Sequence, residues 1–274
     1  MSKILPVAVV QLCSRQQVDE NLDKSVHLVE EAHRLGARLV VLPENFPYIG
    51  RLAHKVTLAE PLTPDSPGPI LGRMIALARR LEIHLLAGGI PIRSEGAADR
   101  FYNTSVLLGP EGAIVSSYRK IHLFDINIPG GAVFTESDHV LPGDRVVAAE
   151  ALGTTIGFSI CYDLRFPELY RELARRGAEI VTVPAAFTLH TGKDHWFPLL
   201  RARAIENQTF VLAAAQHGRH NEHRTSYGKA CIIDPWGAVL AQVPDTDGVA
   251  MAELDLGHLA RVRRELPCLE HRRL

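Results

Sequence analysis

Short apolar runs alternate with amphipathic stretches along most of the 274 residues. Ten runs rich in Val, Ile, Leu and Ala predict β-strands, and several lack polar alternation, which is typical of strands covered on both faces. These runs lie at residues 4–12, 37–44, 83–91, 103–109, 113–120, 154–161, 178–185, 209–216, 229–235 and 238–244. Helical periodicity predicts four helices between them, at residues 18–35, 69–81, 165–176 and 193–206.

Two sequence patterns occur twice, in the same order. "LGARLVVLPENF" at 35–46 is similar to "RGAEIVTVPAAF" at 176–187, and "SVLLGPEGAIVSSY" at 105–118 is similar to "ACIIDPWGAVLAQV" at 230–243. The first pattern indicates a helix end followed by a strand, and the second a hairpin closed by a Pro-x-Gly turn. Two similar halves, each a mixed sheet with helices on one face, predict an α/β fold with four α-β-β-α layers. No Ser- or Gly-rich linker separates the halves, so we expect a single domain over residues 1–274.

Charge and cysteine usage narrow the classes of function. The 30 Lys and Arg residues nearly balance 31 Asp and Glu without blocks of like charge, which gives no reason to expect a nucleic-acid partner. Four scattered cysteines without a CxxC pair fit a reducing cytoplasm better than a disulfide framework. No apolar run reaches the ~18 residues of a membrane helix, and we interpret "MSKILPVAVVQLC" as a buried strand rather than a signal peptide. We therefore expect a cytoplasmic protein without a membrane partner.

Three residues of suitable chemistry stand at the ends of predicted strands. Cys161 precedes "YDLRFPEL", where Asp163 is placed to cap a helix whose N-terminus would favour the thiolate. Glu44 and Lys120 end two other strands. Taken alone, such a cysteine most often fills a core, and such a carboxylate or lysine most often lies in a solvated loop. The repeated patterns would nevertheless bring all three to one rim of the sheets, where α/β proteins bind ligands.

The blocks around these residues resemble the signature blocks of the nitrilase superfamily, the carbon–nitrogen hydrolases. They are "VVLPENF", "YRKIHLFD…IPG" and "ICYDLRFPELYRELARRGAEI", in the family's order, and the resemblance extends to the final "LPCLEHRRL". It implies the same α-β-β-α sandwich and a catalytic triad of Glu44, Lys120 and Cys161. Glu136, in "VFTESDHVLPGD", matches a second glutamate of the family's pocket with an auxiliary role, although a surface carboxylate is the alternative.

The same resemblance implies hydrolysis of a carbon–nitrogen amide bond through a thioester. Cys161 would be the nucleophile and Glu44 the general base and acid. Lys120 would stabilise the oxyanion together with the backbone N–H of Tyr162. We expect Lys120→Met to lose most activity with little change in folding stability. No cofactor is implied.

One branch of the superfamily is most similar to this chain. The segment "GKDHWFPLLRARAIENQTFVLAAAQHGRHNEHRTSYGKACIIDPWG" and the ending "RRELPCLEHRR" resemble the deaminated-glutathione amidases, which also form the nitrilase half of nitrilase–Fhit fusions. The implied reaction releases 2-oxoglutarate and cysteinylglycine from a small-molecule amide. Three alternatives stay open: an ω-amidase acting on 2-oxoglutaramate, an N-carbamoyl amide hydrolase, and a catalytically idle interaction protein.

A substrate with several carboxylates calls for cations near the site. Arg165 either binds substrate or forms a structural ion pair with Glu168 or Asp163. Further pocket residues implied by the resemblance are Tyr162, Phe187, Thr188, His195 and Arg224.

Two further expectations concern metals and assembly. His217, His220 and His223 recur every third residue, but this spacing matches no standard zinc site, so we expect no metal. Related sandwiches commonly dimerise. We therefore expect a homodimer or higher homo-oligomer, with residues 161–176 and the last residues at the interface.

Overall fold

The computed structural model describes residues 3–127 and 133–273. Its strands are β1 (Ile4–Leu12), β2 (Leu39–Val41), β3 (His84–Arg93), β4 (Phe101–Leu108), β5 (Ile114–Arg119), β6 (Asp125–Asn127), β7 (Val133–Thr135), β8 (Val140–Leu141), β9 (Ala148–Ala151), β10 (Thr154–Phe158), β11 (Ile180–Thr182), β12 (Phe210–Ala213), β13 (Ala215–Arg219), β14 (Thr225–Tyr227), β15 (Cys231–Ile233), β16 (Val239–Gln242) and β17 (Gly248–Asp255). Its helices are α1 (Val18–Arg34), α2 (Leu52–Thr57), α3 (Pro69–Leu81), α4 (Pro167–Arg175), α5 (Leu189–Asn207) and α6 (Leu256–Glu265), with 3₁₀ turns at Glu136–Asp138 and Cys161–Arg165. None of the helices in these residues is long and apolar enough to cross a membrane.

The two large sheets repeat one strand order. In the first sheet, β1, β2 and β3 are parallel, and β4 and β5 continue antiparallel. In the second sheet, β10, β11 and β12 are parallel, and β15 and β16 continue antiparallel. The sequence patterns that occur twice therefore occupy equivalent places in two similar halves, as predicted.

Alternate side chains of a strand point to opposite faces of its sheet and so belong to different layers. In β1, Val9 belongs to the apolar cluster that contains Phe158 of the second sheet, whereas Val10 belongs to the cluster that contains Val29 of α1. The first of these clusters also reaches Leu200 of α5. Helices therefore cover the outer face of each sheet, and the sheets pack on each other. The four-layer α-β-β-α sandwich predicted from the sequence is confirmed.

The run 209–216 was predicted as one strand, which is wrong. It forms β12, which pairs with β11 in the second sheet, and β13, which pairs with β1 in the first. Only Ala214 separates the two strands. The N–H of Ala185 donates to Ala214 O, and the N–H of Gln216 donates to Ala185 O, so the chain after β11 is bound to this crossover.

Other bounds also differ from the predicted ones. The run 154–161 ends its strand at Phe158, because the chain turns into a 3₁₀ helix at Cys161. Asp163 does not cap the following helix: α4 begins at Pro167 with Phe166 as its N-cap residue and no side-chain capping bond. β17 and α6 were not predicted at all. β17 pairs antiparallel with β1 over eight residues.

Candidate active site

Glu44, Lys120 and Cys161 meet in one cavity of about 550 Å³. Glu44 lies three residues after β2, Lys120 directly after β5, and Cys161 three residues after β10. Their exposed fractions are 2%, 2% and 8%. Because buried charges need compensating partners, the hydrogen bonds of this group decide its chemistry.

Lys120 lies between two carboxylates. Its Nζ donates to Glu44 Oε1 at 3.1 Å and to Glu136 Oε1 and Oε2 at 3.1 and 2.8 Å. Burial favours the neutral amine, but the charges of Glu136 and Glu44 outweigh burial and raise the pKa of Lys120 above its usual value. Lys120 is therefore a fixed cation.

Glu44 is held by donors from both halves of the chain. Asn103 Nδ2 of β4 donates to Oε1 at 2.8 Å, and the N–H of Ala186 donates to Oε2 at 2.9 Å. Burial opposes ionisation, but the charges of Lys120 and Arg224 and a hydrogen bond from the Cys161 thiol lower the pKa of Glu44 below its usual value. The carboxylate beside the thiol is therefore ionised at neutral pH.

Cys161 has a backbone conformation that is rare for a residue with a side chain. Its φ is 49°, in the left-handed region, where strain for a non-glycine residue is on the order of 1–3 kcal/mol. Its N–H donates to Pro184 O at 2.9 Å, which fixes this conformation against the segment that follows β11 of the same sheet. The thiol is thereby presented at a sharp bend between strand and helix.

The prediction that this position favours the thiolate is wrong for the free site. Burial and the charge of Glu44 raise the pKa of Cys161 well above its usual value, and the opposing effect of Lys120 is smaller. The resting pair is a thiol beside a carboxylate. This is the state in which Glu44 can accept the thiol proton.

Asp163 fastens the Cys161 turn to the segment that carries Lys120. The carboxylate is fully buried. It accepts bonds from the N–H of Ile160 at 2.8 Å, the N–H of His122 at 3.0 Å and the Tyr118 hydroxyl at 2.8 Å. His122 Nδ1 lies 2.7 Å from its Oδ1. Asp163 therefore caps the 3₁₀ turn that begins at Cys161 and joins it to the segment that carries Lys120, but it does not cap α4.

The predicted substrate-binding residues lie mainly around this cavity, which is lined by Tyr162, Arg165, Phe187, Thr188 and Arg224. His195 does not line it. It is exposed, and its Nδ1 lies 3.3 Å from Arg165 Nη1.

Arg165 makes neither of the structural ion pairs that the sequence left open. The Asp163 carboxylate is bound by the donors named above, and the ion pairs found among residues 3–127 and 133–273 do not include Arg165. Its guanidinium carbon instead lies 5.1 Å from the ring centre of Phe187. The cation is thus part of the cavity wall.

Two buried residues of the site were missed by the sequence analysis. Asn103 binds Glu44 and also lies 3.5 Å from Glu136 Oε1. Its only signal was a polar residue within an apolar strand. Lys55 of α2 is 4% exposed and lines the cavity, and its Nζ donates to Asn45 Oδ1 at 2.6 Å. Nothing in "LAHKVT" distinguishes this lysine from a solvated one.

The spaced histidines bind separate neighbours. His217 Nε2 lies 2.9 Å from Asp247 Oδ1, and His220 Nδ1 lies 2.8 Å from Ser14 O. Across the described ranges, no three His, Cys, Asp or Glu side chains are grouped to hold a metal ion. The "IPG" of the second signature block lies at 128–130, outside the described residues.

A family comparison decides the class of this site. The model of the carbon–nitrogen hydrolase family matches residues 6–264. This chain belongs to the carbon–nitrogen hydrolases. The hydrolase is 44% identical over 268 residues to a deaminated glutathione amidase of Synechocystis sp., with 97% of each chain covered. It is 45% identical over 271 residues to a deaminated glutathione amidase of Rattus norvegicus, covering 97% of this chain and 82% of that protein.

Solved structures have the same fold as the hydrolase. The Caenorhabditis elegans NitFhit protein superposes with a TM-score of 0.92 at 38% identity, over 98% of this chain. The hydrolase spans 65% of that longer protein. Saccharomyces cerevisiae Nit3, a member of branch 10 of the nitrilase superfamily, superposes with a TM-score of 0.90 at 30% identity, covering 99% and 97% of the two chains. The resemblance recognised in the sequence is confirmed, and the protein is an enzyme that hydrolyses carbon–nitrogen bonds of amides.

Proposed function

We propose that this hydrolase cleaves deaminated glutathione to 2-oxoglutarate and cysteinylglycine, with Cys161 as the nucleophile. The observation that carries the mechanism is the buried Cys161 thiol beside an ionised Glu44, which Lys120 holds in place. The substrate is supported by the two relatives at 44–45% identity, which cover 97% of this chain. A cavity of about 550 Å³ is also large enough for a peptide leaving group.

The first step is attack on the amide carbonyl. As the Sγ of Cys161 bonds to the carbonyl carbon, its proton passes to Glu44, and the carbonyl oxygen takes up the negative charge. Lys120 stabilises that charge. The N–H of Cys161 is already bound to Pro184 O. The first backbone hydrogen bond of the 3₁₀ turn runs from Asp163 N to Ile160 O. The N–H of Tyr162 lies one residue before that donor, at the start of the turn, and is the candidate second donor to the carbonyl oxygen.

In the second half of the cycle, Glu44 acts first as a general acid and then as a general base. Protonated Glu44 gives its proton to the departing nitrogen, the carbon–nitrogen bond breaks, and a thioester remains on Cys161. Glu44 then takes one proton from water as the oxygen attacks the thioester. The carbon–sulfur bond breaks, the acid leaves with the other proton of that water, and Glu44 gives its proton to the sulfur. One amide and one water thus give one acid and one amine.

Glu136 has an auxiliary role in this proposal. Both of its oxygens bind Lys120, and Oε2 also accepts the N–H of Phe124 at 2.7 Å. With Glu44 on one side and Glu136 on the other, the ammonium of Lys120 is held in one position. Glu136 therefore positions Lys120 and need not touch the substrate.

The test follows cysteinylglycine release by the purified protein. We expect Cys161→Ala to lower kcat by at least about 1000-fold, whereas Cys268→Ala, at a half-buried thiol outside the cavity, retains it. Full activity of Cys161→Ala would rule out the mechanism. Turnover of 2-oxoglutaramate or N-carbamoyl amino acids, with deaminated glutathione left intact, would rule out the substrate.

We also propose a homodimer, with residues 161–176 and the C-terminal residues at its two-fold interface. The end of α4 lies near α6, because Arg263 Nη2 donates to Ala178 O, three residues after α4. Leu274 lies outside the described residues. We also propose a single domain, because the chain crosses between the two sheets at Ala214. The four unpaired cysteines support the proposal that the enzyme acts in a reducing cytoplasm.

A further inference from the structure

Within the described part of the chain, Lys55 and Arg224 line the cavity without an ion-pair partner, as Arg51 and Arg165 also do. Lys55 donates to the neutral Asn45 Oδ1, and Arg224 has a buried Nε without a hydrogen-bond partner. Both side chains line the cavity. The ion pairs found within residues 3–127 and 133–273 include neither of them. Lys120, by contrast, binds two carboxylates.

The charges around Lys55 leave one place for a further anion. The groups that face its Nζ from the surrounding elements are Arg224, Glu44, Glu136 and Lys120. Both carboxylates bind Lys120, and with Lys55 and Arg224 the group holds three cations against two carboxylates when Lys55 is charged. Arg224 also acts on Glu44, so Lys55 and Arg224 lie around the same carboxylate that faces Cys161. Charging the buried amine of Lys55 without an anion is unfavourable, and an anion bound between Lys55 and the half-buried Arg224 would reduce that cost.

We propose that Lys55 and Arg224 form the subsite for the carboxylate on the acyl part of the substrate. This inference rests on the proposed function and names the residues that select an anionic acyl chain. In an amide of 2-oxoglutarate, three carbons separate the reacting carbonyl from the far carboxylate. A carboxylate bound by two cations beside Glu44 therefore holds the carbonyl of a short chain over Cys161.

Binding at this subsite is linked to a proton. Burial and the charge of Arg224 lower the pKa of Lys55 to about 7, and the opposing effects of Glu44 and Glu136 are smaller. A carboxylate next to the amine favours its charged form and raises its pKa. Below pH 7 Lys55 is already charged, and KM is independent of this group. Above pH 7 it must take up a proton on binding, so KM of an anionic amide rises, approaching about tenfold per pH unit.

The first experiment compares 2-oxoglutaramate with pentanamide, a neutral amide of the same chain length. We expect Lys55→Met to lower the ratio of their kcat/KM values by about 10- to 100-fold, mainly through KM for the anionic amide. Lys24→Met removes a lysine from the exposed face of α1 and leaves the ratio unchanged. An unchanged ratio in Lys55→Met, or an equal loss on both amides, overturns the proposal.

The second experiment does not need turnover. Calorimetric titration of Cys161→Ala with 2-oxoglutarate at pH 8, in buffers of different ionisation enthalpy, measures the protons taken up on binding. We expect an uptake close to one proton, which disappears when Lys55→Met is added to that variant. No uptake, or the same uptake with Lys55→Met, overturns the subsite. If Cys161→Ala takes up this proton but the wild-type enzyme leaves deaminated glutathione intact, the proposed substrate is rejected and the subsite is kept.

Discussion

At the scale of single residues, Lys120 links the proposed chemistry to the stability of the fold. It is 2% exposed and lies between Glu44, which is equally buried, and Glu136, which is nearly so. Without the ammonium, two neighbouring carboxylates of low exposure would remain without the cation that both of them bind. The sequence alone could not show this, because a lysine at a strand end is usually exposed.

We expect Lys120→Met to lose at least about 100-fold in kcat and also about 3–5 kcal/mol of unfolding free energy. The second effect differs from our expectation from the sequence, because breaking a buried ion pair leaves a charge uncompensated. Urea unfolding and kcat measured on the same preparations test both effects.

Acid should narrow the stability difference between Lys120→Met and the wild-type enzyme. The pKa of Glu44 in the folded enzyme is lowered from its usual 4.5, so its pairing stabilises the fold above that value and is lost as the pH falls through the folded pKa. Adding Glu136→Gln to Lys120→Met removes one bare carboxylate and should restore part of the stability but none of the activity. A Lys120→Met protein as stable as the wild type at pH 7 would contradict this account.

The residues found from the sequence and those missed differ in how local their signals are. Glu44, Lys120 and Cys161 each lie within a continuous block of characteristic residues. Asn103 is 59 residues from its partner Glu44. Its importance follows only from the sheet order, in which β3 lies between β2 and β4 and Asn103 of β4 reaches the residues that follow β2. Lys55 lies on a six-residue helix whose burial depends on neighbours far along the chain.

At the scale of elements, the Cys161 turn depends on Asp163. We expect Asp163→Asn to lower the unfolding free energy by about 1–3 kcal/mol, because an amide replaces one acceptor oxygen with a donor that faces other donors. The melting temperature should fall, and kcat should fall with it because the nucleophile and Lys120 share this support. Glu168→Gln, an exposed carboxylate on the next helix, is the matched control and should melt as the wild type. Equal melting of Asp163→Asn and the wild type would show that the four bonds matter little.

Long periodic elements were predicted well, and short or paired ones were not. β1 and α3 have the predicted bounds, and α1 ends one residue early. β2 and β11 are only three residues long, because their ends are set by the strands they pair with. The division of 209–216 into β12 and β13 escaped prediction because an unbroken apolar run gives no sign that its pairing partner changes.

At the scale of the whole molecule, the proposed dimer can be tested at one exposed apolar side chain. Leu266, at the end of α6, is 50% exposed. We expect Leu266→Asp to convert a dimer to a monomer at micromolar concentration in light-scattering chromatography, because a buried carboxylate without a partner is costly. Val115→Asp changes a 40% exposed side chain on β5, away from the proposed interface, and should stay dimeric. A wild-type protein that elutes as a monomer would refute the dimer itself.

The crossover from β12 to β13 limits how this enzyme can move. The chain passes from one sheet to the other with a single residue between them, and Ala185 is hydrogen-bonded to both sides of that passage. Glu44 follows a strand of the first sheet, and Cys161 follows a strand of the second. A hinge motion between the sheets would break the hydrogen bonds of Ala185 with Ala214 or Gln216. We therefore expect the distance between Glu44 and Cys161 to stay constant during the catalytic cycle. Accordingly, we expect substrate to enter and product to leave while the sandwich that holds Glu44 and Cys161 keeps its geometry.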